Sequence, residues 1–136
     1  MRVVVDTNVF ISGVFFGGIP GRILRAWRES RIELVLSAEI LEEYLRVGDR
    51  LSQEYPGVDL GPFLALLTTH AEIVDAPALP EPVSADPDDD KFLACALIAG
   101  AAVIVSGDKD LVDRSGWRGV RVLRPRQFSD EFLSSA

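Results

Sequence analysis

The chain has 136 residues, enough for one domain on the usual range of about 100–200 residues each, so a second catalytic domain is excluded. Its 14 Lys and Arg against 21 Asp and Glu leave a formal charge of −7, which disfavours nucleic-acid binding through bulk positive charge and requires any phosphate contact to be local or metal-mediated. Cys95 and His70 are the only residues of their kinds, which excludes an intramolecular disulfide, a cysteine zinc cluster and a two-histidine acid/base pair, leaving any chemistry to carboxylates.

Val3, Val4 and Val5 form a β-branched run that ends in Asp6-Thr7-Asn8, the pattern of a strand buried on both faces with a polar exit. Pro20 opens a predicted helix from Gly21 to Ser30, with Ile23, Leu24 and Trp27 on one face and Arg22, Arg25 and Arg28 on the remainder as a solvated face. Ile32 to Leu36 reads as a strand, and Ser37 is placed to cap a helix from Ala38 to Val47 that Gly48 stops. Asp49 to Leu60, with Pro56 and Gly57, reads as a loop; Phe63, Leu64, Leu66 and Leu67 then indicate a helix closing near His70.

Ala71 to Val74 is a short strand, and Pro77, Pro80, Pro82 and Pro87 enforce an extended connector that ends in the cluster Asp86-Pro87-Asp88-Asp89-Asp90. The Ala- and Leu-rich run from Lys91 to Ala99 is a helix ended by Gly100. Ala101 to Val105 is a second buried strand that empties into Ser106-Gly107-Asp108-Lys109-Asp110; a last strand at Val120 to Leu123 and a short helix at Phe128 to Phe132 complete the chain. Strands alternating with helices indicate a parallel α/β sheet covered on both faces. A lone cysteine suits a reducing compartment, and neither a signal-peptide core nor an apolar run of about 18 residues is present; the expectation is a soluble cytoplasmic protein with no membrane span.

In open parallel sheets ligands bind beyond the carboxyl ends of the strands. Asp6 leaves the first strand, Asp108 leaves the strand Ala101 to Val105, and Asp89 opens the helix that feeds that strand. Helix spacing aligns Asp89 with Phe92, Leu93 and Ala96, which turns it inward; Asp86 suits helix capping, while Asp88 and Asp90 face water or tune the local field. On the helix after Ser37, the apolar face centres near Tyr44. Glu43 lies about 105° from that centre and Glu39 and Glu42 roughly 145–155° away, so Glu43 borders the core. Converging carboxylates repel unless a cation joins them. Mg²⁺ or Mn²⁺, which prefer hard oxygen ligands, suit such a group.

The segments Val3 to Val9, Ser37 to Leu45, Asp86 to Phe92 and Val105 to Leu111, in that order, resemble the PIN-domain family, close to the toxin components of type II (VapBC-like) toxin–antitoxin systems. The resemblance covers nearly the whole chain. It implies a three-layer α/β/α sandwich around a central parallel sheet, an acidic quartet of Asp6, Glu43, Asp89 and Asp108, and supporting roles for Asn8, Ser106 and Asp110. It also implies endoribonuclease activity, with Mg²⁺ or Mn²⁺ held by Asp6, Asp89 and Asp108, water attacking phosphorus in line, and Glu43 orienting that water or a second metal. RNA is the implied substrate, a small antitoxin protein the implied partner, and a homodimer the implied assembly.

Asp110 has two open uses, hydrogen bonding within its loop or holding metal. Arg114, Arg118, Arg121, Arg124 and Arg126 form a basic strip, with Arg118 and Arg121 as contacts for RNA or for an acidic antitoxin segment, or as a solvated surface. Phosphotransferases of the haloacid-dehalogenase type carry a second Asp two residues after the first, where this chain has Asn8. Gly17, Gly18 and Gly21 do not form the turn directly after the first strand that would cradle a dinucleotide. The alternative from another class is a non-catalytic PIN-like module that binds RNA or protein through the same surface.

Overall fold

The computed structural model describes residues 1–133. Five strands, β1 (Arg2–Val5), β2 (Glu33–Ser37), β3 (Ala71–Val74), β4 (Val103–Val105) and β5 (Arg121–Leu123), form one parallel sheet in the order β3-β2-β1-β4-β5. Val3, Val4 and Val5 of β1 and Val103, Ile104 and Val105 of β4 are buried, the reason these strands read as continuous apolar runs rather than alternating ones. Successive strands step outward from β1 to β3, and the chain then returns across the sheet to β4 on the other side of β1. The β1/β4 boundary is therefore the topological switch point, where helices diverge and a crevice opens at the carboxyl edge.

The helices are α1 (Thr7–Phe15), α2 (Gly18–Arg28), α3 (Ala38–Glu54), α4 (Gly61–His70), α5 (Asp90–Ala99), α6 (Lys109–Val112) and α7 (Pro125–Phe128), followed by a wider π turn over Ser129–Leu133. Right-handed crossovers put the helices between β1 and β3 on one face and α5 on the other, where α5 lies against β1 and β2. The result is the expected three-layer α/β/α sandwich. Among the described residues, no single helix is long and apolar enough to cross a membrane.

Several elements differ from the sequence expectation; the last helix, expected at Phe128 to Phe132, forms as α7 with the π turn after it, and the short α6 was not anticipated. Helix α1 follows Asp6 directly and was missed because seven of its nine residues are buried and only Asn8 and Ser12 face outward, a stripe too narrow to mark a helical period. Helix α2 begins at Gly18 rather than Gly21, with Pro20 in its first turn, where a missing N–H leaves no helical bond unmade. Helix α3 passes through Gly48 and ends at Glu54. A Cβ at Gly48 would stand 3.2 Å from Leu60 Cδ1 and 3.5 Å from Ile11 Cδ1, so this glycine serves close packing and does not terminate the helix.

Tertiary bonds lock these layers at the carboxyl edge. The Tyr44 hydroxyl on α3 donates to the Val5 carbonyl at the end of β1, and the Tyr44 ring stacks on Phe10 of α1 at 4.3 Å between centroids. Burial, reinforced by the charge of Asp6, raises the Tyr44 phenol well above its ordinary value, which keeps it a donor. Trp27 Nε1 donates to the His70 carbonyl at 3.0 Å, tying α2 to the end of α4.

Candidate metal centre at the carboxyl edge of the sheet

Register builds the first half of the site. Val5 pairs with Val105, so the residues that follow, Asp6 and Ser106, emerge side by side. The Asp6 amide donates to the Val105 carbonyl at 2.9 Å, and the Ser106 hydroxyl donates to Asp6 Oδ2 at 2.6 Å. The same hydroxyl oxygen accepts the Asp108 amide at 3.0 Å, so Ser106 fixes the spacing of both acids. Asp108 Oδ1 in turn accepts the Asp110 amide at 2.9 Å, capping α6.

The second half comes from the turn Pro87–Asp89 ahead of α5. Asp86 accepts the Asp88 amide at 3.0 Å, the capping role its position predicts. Asp89 points inward and is buried, as its alignment with Phe92 and Leu93 predicts. One carboxylate oxygen from each of Asp89, Asp108 and Asp110 lies within 4.8 Å of the others. Asp6 is outside that threesome by distance, yet its charge reaches Asp89.

The electrostatics of this group are unfavourable. Burial, then a shared hydrogen bond and repulsion with Asp108, with smaller repulsions from Asp6 and Asp86, push the Asp89 carboxyl up to about 8. Asp6 is raised as well, chiefly by burial, although the Ser106 bond opposes the shift and Asp108 and Glu43 add to it. Asp89 Oδ2 is buried with no hydrogen-bond partner among the described residues. A buried oxygen of this kind costs free energy unless something fills its coordination. Hard carboxylate oxygens converging without histidine or cysteine fit a divalent ion such as Mg²⁺ or Mn²⁺, and the orphaned oxygen is the observation that supports the fit.

Glu43 sits beside this group in a different state. It faces the site from α3 with its side chain 13% exposed, while Glu39 and Glu42 are exposed, the order given by their angles from Tyr44. Its Oε1 accepts the Thr7 hydroxyl. Its Oε2 lies 2.5 Å from Lys91 Nζ and 3.7 Å from Arg46 Nη2. Burial works against the Lys91 charge, but the bonds to Glu43 and Asp88 outweigh it and raise the ammonium above its ordinary value.

Asn8 is exposed on α1 and lines, with Ser12, Gly107 and Asp108, a cavity of about 360 Å³ beside the acids. The Arg strip divides. Arg121 pairs in register with Val103 at the amino edge of the sheet and gives its guanidinium fork to Glu131 at 2.6 and 2.9 Å. Arg118, at positive φ, lies over the Trp117 ring. Neither is brought to the acids, whereas Arg124 Nη1 donates to the Gly107 carbonyl at 2.8 Å and braces the loop that carries Asp108.

Sequence reasoning missed four contributors. Lys91 had a local signal, since it lies three residues after Asp88 in the first turn of α5. Thr7 had none, because Glu43 is 36 residues away. Asp90, expected to face water, instead accepts the Val83 and Ser84 amides at 3.1 and 2.8 Å and pins the proline connector to the site. The Arg124 contact depends on a loop conformation that spacing does not reveal.

Residues 2–110 match the PIN domain. The chain is also similar to the uncharacterized protein MJ1680 of Methanocaldococcus jannaschii, with 33% identity over 97% of this chain and 92% of that protein. The matched span contains Asp6, Glu43, Asp89, Asp108 and Asp110 and the switch point between β1 and β4. The chain belongs to the PIN-domain family.

Proposed function

We propose that the protein is a Mg²⁺- or Mn²⁺-dependent endoribonuclease, the toxin of a toxin–antitoxin pair whose small antitoxin blocks the acidic site in the cytoplasm. The observation that carries the nuclease reading is the buried, unpartnered Asp89 Oδ2 within the group of Asp89, Asp108 and Asp110. Support for the toxin role is the resemblance of the four acidic segments to toxin components.

Asp89 and Asp108 would hold the ion, with Asp6 and Asp110 completing its surroundings directly or through water. Bound there, it would neutralise the carboxylates, polarise a phosphate oxygen and make water acidic enough to attack at neutral pH. Ser106 keeps Asp6 and Asp108 at fixed spacing, so the acids need not reorganise when substrate arrives. Glu43, paired with Lys91 and accepting the Thr7 hydroxyl, would orient the attacking water and accept its proton. His70 lies just ahead of β3, at the amino edge opposite the acids, so this scheme proceeds without a histidine acid/base pair.

The test is incubation of the purified chain, freed of any bound antitoxin, with total cellular RNA in Mn²⁺ or EDTA, followed by mapping of new ends. Metal-dependent cuts that leave 5′-phosphates and 3′-hydroxyls are expected. Uncut RNA in the presence of demonstrably bound Mn²⁺ would support the non-catalytic module instead.

A further inference from the structure

Within one crevice, the carboxylates divide into those that lack a counter-charge and one that already has it. Lys91 Nζ touches Glu43 Oε2 at 2.5 Å, Asp88 Oδ1 at 3.0 Å and the Asp88 carbonyl at 3.0 Å. An ammonium has three N–H donors, so these acceptors use all of them and leave none for a substrate phosphate. The Lys91 side chain is only 16% exposed. Glu43 is engaged on both oxygens, by the Thr7 hydroxyl and by Lys91, whereas Asp89 Oδ2 has no partner. A second divalent ion on Glu43 would have to displace a partly buried ammonium or lie against it, and like charges at that separation repel.

We infer that Lys91 is a positioning residue that occupies the counter-cation place at Glu43, so the centre takes one divalent ion, among Asp89, Asp108 and Asp110, and Glu43 is a lysine-held carboxylate and not a ligand of a second ion. This inference rests on the metal-centre reading and refines it. Lys91 thereby supplies by covalent attachment the positive charge that a second ion would bring to Glu43, without the contact to a reacting oxygen that each ion makes in two-metal sites.

The test is a Mn²⁺ titration of the full chain without RNA, with free ion counted by its electron paramagnetic resonance signal up to millimolar concentration. The parent chain and Lys91→Arg, which keeps the cation, are expected to bind one ion each; Lys91→Met is expected to bind two. Glu43→Gln is expected to bind one ion with affinity within about threefold of the parent, and Lys91→Met/Glu43→Gln to lose the second ion again. Circular dichroism verifies that each variant is folded, and Glu43→Gln carries the test alone if Lys91→Met is not. Two ions in the parent, one ion in folded Lys91→Met, or a loss of about tenfold or more in Glu43→Gln would overturn the inference. No Mn²⁺ binding by the parent would overturn the metal-centre reading itself, a distinct result.

Discussion

Asp89 and Glu43 are both acids at the carboxyl edge of one sheet, and their surroundings treat them in opposite ways. Glu43 receives a hydroxyl and an ammonium, so both of its oxygens are partnered by the chain itself. Asp89 meets Asp108 and Asp110, has an unpartnered buried oxygen, and is pushed up to about 8. The difference teaches that a carboxylate is prepared for metal by what is withheld from it. One side of the crevice is neutralised by the chain, and the other is left to be neutralised by a ligand.

The largest expected effect removes the incomplete side. Asp89→Asn should lower Mn²⁺-dependent RNA cleavage by about a hundredfold or more while leaving the circular dichroism native-like, because the change adds no volume and removes a repulsion. A pH series sharpens the same contrast. In metal-free protein, between about pH 4 and pH 8, the unfolded chain has released the Asp89 proton and the folded chain keeps it, so stability falls as pH rises through that window. The melting temperature should drop by several degrees from pH 5 to pH 8, and Asp89→Asn should flatten that slope.

On the complete side, Glu43→Gln should cost about 1–2 kcal/mol, since Lys91 keeps Asp88 as a partner and the pair is partly solvated; chemical denaturation measures it. Gly13→Ala tests the scaffold under both sides. A Cβ there would stand 2.7 Å from Leu24 Cδ1 and 2.9 Å from the Pro20 carbonyl oxygen, so α1 and α2 should separate at a cost of about 1–3 kcal/mol. The smallest effect is expected at Arg121→Ala. Its pair with Glu131 is exposed, so stability should change by about 0.5 kcal/mol at most, with cleavage unaltered.

The centre of the sheet was legible in the sequence because β1 and β4 are short, buried and β-branched, and because Gly100, at φ 67, ends α5 where expected. Asp6, Asp89 and Asp108 were legible as neighbours because parallel strands bring all their exits to one edge. Angular position separated Glu43 from Glu39 and Glu42 on the same helix. Helix α1 was hidden by a polar stripe of only Asn8 and Ser12, and the length of α3 was hidden by a glycine whose reason is a neighbour, Leu60, twelve residues on. The pairing of Lys91 with Glu43 and the bracing of Gly107 by Arg124 are contacts between distant segments, and periodicity carries no information about them.

The central claim, that the Asp89 side of the crevice is the metal centre, is tested most directly by thermal melting of the parent chain and Asp89→Asn at pH 8, each with and without saturating Mn²⁺. A ligand that binds only the folded state raises stability by an amount set by its affinity. The account predicts a rise of several degrees in the parent and little or none in Asp89→Asn. An equal rise in both proteins, or none in the parent, would contradict it.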